Sequence, residues 1–148
     1  MKGPELARDT MQPALGGLRL HHVGVVVDDL EAAAAQYTAL GFVDGERFSV
    51  PEQAIEAIVY VAGEGNYVEL ISPTDPEGPI ARFMGKRGEG MHHVAYLVDD
   101  IEATLARLHD AGIRLIDESP RKGTHGWTIA FVHPESTHGV LTELVQVE

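Results

Sequence analysis

The chain has 148 residues and a formal charge of −12 with histidine neutral. This balance excludes a nucleic-acid partner, whose phosphates require a basic surface, and a polybasic contact with membrane lipids. Cysteine is absent, which rules out disulfides, thiolate metal sites and thiol nucleophiles, and the 44% hydrophobic, 23% charged composition suits one soluble domain with its own core.

Residues 1–17, "MKGPELARDTMQPALGG", hold Pro and Gly but no apolar stretch of signal-peptide length. They read as a flexible lead, and no later run is long enough to span a bilayer, so a cytoplasmic protein is expected. The rest, residues 18–148, reads as one domain of two pseudo-repeats, about 18–75 and 89–148. A Val-rich strand is predicted at Val23–Val27. Asp28 and Glu31 then have the spacing of a capping box, in which a carboxylate accepts from backbone N–H groups left unpaired by the first helical turn. Leu30, Ala34, Tyr37 and Leu40 recur at helical spacing, and Gly41 stands where a C-terminal cap belongs. Three strands follow, at Phe42–Val50, Ile55–Ala62 and Tyr67–Ser72. The linker "PEGPIARFMGKRGEG" predicts a short helix with a Gly-rich exit.

The second half repeats this grammar. His21–Phe42, "HHVGVVVDDLEAAAAQYTALGF", aligns without a gap on His92–Ile113, "HHVAYLVDDIEATLARLHDAGI", and ten of the 22 positions are identical. Chance would supply about one or two matches, so the chain contains an internal duplication. Strand Val94–Val98 is predicted next, then a helix capped by Asp99 with Glu102 and closed at Gly112. Strands are expected at Ile113–Asp117, Trp127–Val132 and Val140–Val147. The fold class is therefore α+β, a βαβββ module used twice.

Each half places one Glu inside an otherwise apolar last strand: Glu69 in "NYVELIS" and Glu143 in "VLTELVQ". A lone buried carboxylate is costly unless it is paired or bound to a cation. Strand alternation puts His22 on the same face as Gly24 and Val26, with His21 pointing away, and the repeat makes His93 the match of His22. His22, Glu69, His93 and Glu143 then converge. Two imidazoles and two carboxylates suit one divalent ion such as Zn, Co, Ni, Mn or Fe, with positions left for a small chelating substrate. Singly, a strand His or a buried Glu is more often structural. The duplicated His–Glu set favours metal binding. His109, His125, His133 and His138 have no duplicated partner and are assigned to surface or loops, with His125, in its Gly-flanked context, the first candidate for an exception.

These features resemble the vicinal oxygen chelate superfamily, the glyoxalase/bleomycin-resistance fold, from about Leu18 to the end. Within it, "LHHVGVVVDDLEAA", "VPEQAI", "VELISPTDPEGPIARFM", "GEGMHHVAYLVDDIEA" and "IAFVHPESTHGVLTELVQ" are similar to the methylmalonyl-CoA epimerase family. The resemblance implies a half-barrel cup around one metal ion, cobalt by analogy, with zinc, nickel or manganese as alternatives. Its ligands map onto His22, Glu69, His93 and Glu143. It implies inversion at the α-carbon of (2R)- and (2S)-methylmalonyl-CoA through a metal-stabilised enolate, with Glu143 as acid/base on one face. Some members carry a second base six residues after the Pro of "PEQ". Counted from Pro51 that position is Ala57, so the neighbouring Glu56 becomes the candidate, which only a bulge would turn inward. Arg121 and Lys122 are the candidate contacts for the acyl-CoA phosphates, with Arg82, Lys86 and Arg87 further cations. A homodimer is expected by the same resemblance.

Three other functions share the fold. A bacterial-type glyoxalase I can use the same four ligands on a glutathione hemithioacetal. An extradiol dioxygenase uses two His and one Glu on Fe(II), and Glu69 argues against it by occupying a position that oxygen chemistry needs. A non-enzymatic small-molecule-binding resistance protein would need no ligands at all.

Overall fold

The computed structural model describes residues 18–147; the predicted N-terminal lead lies outside them. Strand β1 (Arg19–Val26) leads into helix α1 (Leu30–Leu40), followed by β2 (Glu46–Val50), β3 (Ile55–Val61) and β4 (Tyr67–Pro73). Helix α2 (Pro79–Arg87) connects to β5 (Gly90–Leu97), α3 (Ile101–Asp110), β6 (Arg121–Lys122), β7 (Thr128–Val132) and β8 (Thr142–Gln146). The strands form one mixed sheet in the order β2-β3-β4-β1-β5-β8-β7-β6, curled into a half-barrel.

That order reads outward symmetrically from its centre. β1 and β5 pair antiparallel in the middle, and the last strand of each half returns parallel beside the first, β4 on β1 and β8 on β5. The registers match across the duplication. Gly24 faces Glu69 on one side, and Ala95, its counterpart in the repeat, faces Glu143 on the other.

Helices α1 and α3 cover one face of the sheet. Ala33 of α1 packs with Val27, Ile58, Tyr60 and Leu70, while Ile101 and Leu105 of α3 pack with Ala130, Val132 and Leu144. Burying a side chain such as Ile101 contributes about 1.5–3 kcal/mol relative to leaving it exposed. The concave face carries its own apolar lining, with Val59, Ala95, Trp127, Ile129, Phe131 and Val145 on one side and Val26, Val50, Ile55, Ile71 and Ile80 on the other. No helix among the described residues is long and apolar enough to cross a membrane.

Three local expectations are corrected. The N-caps are the second aspartates of each pair. Asp29 Oδ1 accepts from the backbone N–H groups of Glu31 and Ala32, and Asp100 Oδ1 accepts from that of Ala103. Asp28 instead donates its backbone N–H to the Glu89 carboxylate at 2.7 Å. The strand expected at Ile113–Asp117 reduces to a single bridge, Leu115 to Val132. There Asp117 Oδ2 takes the Phe131 N–H at 2.8 Å, so a side chain replaces a backbone acceptor and the ladder stops. The third correction concerns His21 and belongs to the site.

Candidate metal centre

β1 and β5 do not pair in simple alternation. From Leu20 to His22, β1 advances two residues while β5 advances one, from Tyr96 to Ala95, so His21 faces no partner. The mirror event occurs between Gly24–Val25 and His93–Met91, leaving His92 without a partner. Each is a β-bulge, in which the extra residue bends the strand and re-aims its side chain. His21, expected to point away, is buried, with its Nδ1 2.8 Å from the Nδ1 of His22. His92 Nδ1 stands 2.9 Å from His93 Nδ1 in the same manner.

The second histidine of each pair reaches the centre of the cup. His22 lies opposite Ala95 and His93 opposite Gly24. Gly24 is required there, because a Cβ at that position would come 2.1 Å from Cε1 of the His93 ring. The two Nε2 atoms face each other at 3.0 Å. Glu143 Oε1 is 2.9 Å from His22 Nε2 and 3.5 Å from His93 Nε2, and Glu69 Oε1 is 3.6 and 3.7 Å from the same atoms. All four side chains are buried. Glu69 Oε2 and Glu143 Oε1 lack a hydrogen bond of normal geometry. The contact of Glu143 with His22 is thus close but misaligned.

These groups fit a metal ion. Donors bonded to one ion at ~2.1 Å lie about 3.0 Å apart at right angles and about 3.4 Å apart at tetrahedral angles. His22, Glu69 and His93 each offer a donor atom within 4.8 Å of the others, and Glu143 adds a second carboxylate beside both imidazoles. Buried carboxylate oxygens without donors call for a cation. The cavity they line has a volume of about 30 Å³.

The electrostatics follow from burial. At His22 burial disfavours the imidazolium, but Glu143 and then Glu69 outweigh it and the pKa rises. At His93 burial, reinforced by His22 and His92, pushes the pKa well below the ordinary value. Glu69 is raised, first by burial and then by Glu143, against the opposing effects of His22 and the neighbouring Thr124 side chain. Burial also lowers His21, helped by His22 and His125, and lowers His92, each to about 4.

The other candidates are placed differently. Glu56 is exposed on β3 and pairs with Ser49 and Ser72 in an unbroken register, so no bulge turns it inward. Ala57 is the buried neighbour. Arg121 is tied to Asp117 at 3.1 Å and lies over the Phe131 ring. Lys122 Nζ reaches Thr128 Oγ1 at 3.2 Å, and its carbonyl accepts from Gln53, which lines the cavity. This edge therefore flanks the cup without entering it. Sequence reasoning missed Trp127, whose ring stacks on His22 and meets His21 edge-on, and Thr124 and Gln53 on the cavity wall. Trp127 is the one Trp of the chain, a signal that was available. Beside the cavity, a trough of about 760 Å³ runs from His92 and His93 past Phe83, Arg87, Val140 and Leu141.

Two βαβββ modules closing a cup around a duplicated His–Glu set define a half-barrel class with a candidate metal centre. The chain belongs to the glyoxalase/bleomycin resistance protein/dioxygenase superfamily, whose family model matches residues 21–131. An ethylmalonyl-CoA/methylmalonyl-CoA epimerase of Cereibacter sphaeroides is 39% identical over 132 residues, covering 87% of this chain and 98% of that protein. A solved methylmalonyl-CoA epimerase in complex with methylmalonyl-CoA and NH4+ superposes with a TM-score of 0.83 at 34% identity, covering 88% of this chain and 96% of the other. A variant of the Streptomyces coelicolor methylmalonyl-CoA epimerase bound to 2-nitronate-propionyl-CoA gives 0.82 at 34% identity, covering 86% and 93%.

Proposed function

We propose that the chain is an epimerase that interconverts (2R)- and (2S)-methylmalonyl-CoA by removing and returning the α-proton, with one divalent ion held by His22, Glu69, His93 and Glu143. The observation that carries this reading is the pair of buried carboxylate oxygens, Glu69 Oε2 and Glu143 Oε1, left without hydrogen bonds beside two facing imidazole nitrogens. The epimerases to which the chain is similar over most of its length supply the substrate class. Cobalt is the ion inferred from the family resemblance, a homodimer the assembly and the cytoplasm the location.

A bound divalent ion supplies electrophilic stabilisation of the negative charge that develops on a substrate oxygen as an α-proton leaves. The chain's own groups do the rest. The Glu143 carboxylate lines the cavity and takes the α-proton on one face. Trp127, Ile129 and Phe131 line the same cavity and limit its water. On β3 the inward residue is Ala57 and Glu56 faces solvent, so proton return on the opposite face falls to a group outside β3. The trough with Arg87 at its side has the volume of a small-molecule site, and Arg121 and Lys122 remain proposed phosphate contacts at the neighbouring edge.

The test is α-proton exchange of methylmalonyl-CoA in D2O. Metal-loaded protein should exchange the proton, and His93→Ala should lose roughly 100-fold or more, the scale of removing an electrophilic stabiliser. A folded, metal-loaded wild type that exchanges nothing would reject the epimerase reading, and turnover of a glutathione hemithioacetal would replace it with glyoxalase chemistry.

A further inference from the structure

We infer that the first histidine of each pair, His21 and His92, is a positioning residue that holds the second one by its Nδ1, so that Nε2 of His22 and of His93 points into the cup with its lone pair free. The inference rests on the reading that these two histidines hold a metal ion, and extends it to two residues outside the set of four ligands.

The geometry comes in two copies. His21 Nδ1 stands 2.8 Å from His22 Nδ1, and His92 Nδ1 stands 2.9 Å from His93 Nδ1. A contact this short between two imidazole nitrogens is an N–H···N hydrogen bond with one proton between them. A neutral imidazole that offers its Nε2 lone pair to an ion must carry its proton on Nδ1. The first histidine therefore accepts at Nδ1 and carries its own proton on Nε2. Metal-binding histidines generally gain orientation and basicity from such a partner on the other ring nitrogen, and its loss costs about 10–100-fold in metal affinity.

Adjacent residues of a regular strand cannot do this, because they face opposite sides. The two bulges make it possible, and His21 and His92 are the residues that β1–β5 pairing skips. Aromatic neighbours then fix the rings. His21 is buried edge-on against Trp127, with Tyr67 alongside, and His92 meets Phe83 edge-on. His21 is buried and His92 half-buried, and the Nδ1 contact is matched in both halves, which is not what two surface histidines would show.

The test combines metal affinity with a signature of the bond itself. Zinc and cobalt Kd values are measured by chelator competition for wild type, His21→Leu, His92→Leu, His21→Asn and His92→Asn. Leu fills the space without an acceptor, whereas Asn Oδ1 sits one bond from Cγ, as Nδ1 does. Each Leu variant should bind about 10–100-fold more weakly, and each Asn variant should recover most of that loss. Zinc-loaded, 15N-labelled wild type should show a scalar coupling between the Nδ1 atoms within each pair, which reports an N–H···N bond and needs no variant to fold. Wild-type Kd values in the Leu variants, Asn variants as weak as Leu, or zinc-loaded wild type without the coupling would each overturn the inference alone. Wild type that binds no divalent ion would overturn the metal reading and the inference together.

Discussion

At the scale of single residues, the site depends on where side chains are absent as much as on where they are present. His93 crosses β1 only because residue 24 has no Cβ. The matching position in the repeat, Ala95, tolerates its methyl opposite His22 while remaining fully buried. The pseudo-symmetry is therefore incomplete at the point of closest approach. Gly24→Ala should displace the His93 ring, because the interfering atoms belong to a ring that Phe131 meets edge-on and His22 faces. Overpacking of this kind costs about 1–3 kcal/mol, which chemical denaturation of the metal-free variant would measure. Metal affinity should fall in the same variant. Unchanged stability and affinity would mean that His93 has room to move, and that Gly24 is not a requirement of the site. The four converging residues were legible in the sequence because a duplication places them, while the need for Gly24 was not. Gly24 and Ala95 both read as ordinary small residues until their cross-strand partners are known.

At the scale of elements, the double aspartates show how a correct motif can be assigned one residue off. Both Asp28–Asp29 and Asp99–Asp100 offer a carboxylate before an apolar helical stretch, and the sequence alone allows either member to cap. The structure uses the second, since its backbone is extended and its carboxylate reaches the free N–H groups of the first turn. Asp100→Ala should therefore destabilise by about 0.5–2 kcal/mol, whereas Asp99→Ala, at an exposed position, should stay within about 0.5 kcal/mol. Thermal denaturation of the two variants side by side decides it, and equal effects would contradict the assignment. Bulges are harder to read still. Nothing in "LHHV" or "MHHV" marks an extra residue, because a bulge is defined by the count on the partner strand. Period-two alternation placed His22 and His93 toward the cup, where they lie, and misplaced His21, which sits at the very point where alternation breaks. The unformed strand near Asp117 has a similar origin, since a side-chain carboxylate that takes a backbone N–H is invisible to a pattern of apolar residues.

At the scale of the whole molecule, the duplicated half gave the topology, but how tightly the halves close around one point emerged only from the central β1–β5 pairing. Four buried ionisable side chains meet at that junction, and in the metal-free protein they must satisfy one another imperfectly. Two carboxylate oxygens are left without hydrogen bonds, the pKa of His22 is raised by the nearby carboxylates and that of Glu69 by burial. A divalent ion bound only by the folded form stabilises it by RT ln(1 + [L]/Kd), about 2.7 kcal/mol at a hundredfold excess over Kd. For a chain of this size that is a rise in Tm of roughly 6–10 °C. Metal and protons compete for the same nitrogens, so binding releases protons and weakens as pH falls. His22 sets the onset of that loss, because the nearby carboxylates raise its pKa above the ordinary histidine value and so favour protonation of its Nε2. His93 does not, because burial keeps it neutral to well below that value. The metal-induced rise in Tm should therefore be largest at the alkaline end of the range and shrink as pH falls, and a chelator should abolish it at every pH. Scanning calorimetry with and without cobalt across pH 5.5 to 8.5 would measure both effects. A rise in Tm independent of pH would mean that the ion is bound by carboxylates alone and that the paired histidines serve some other purpose.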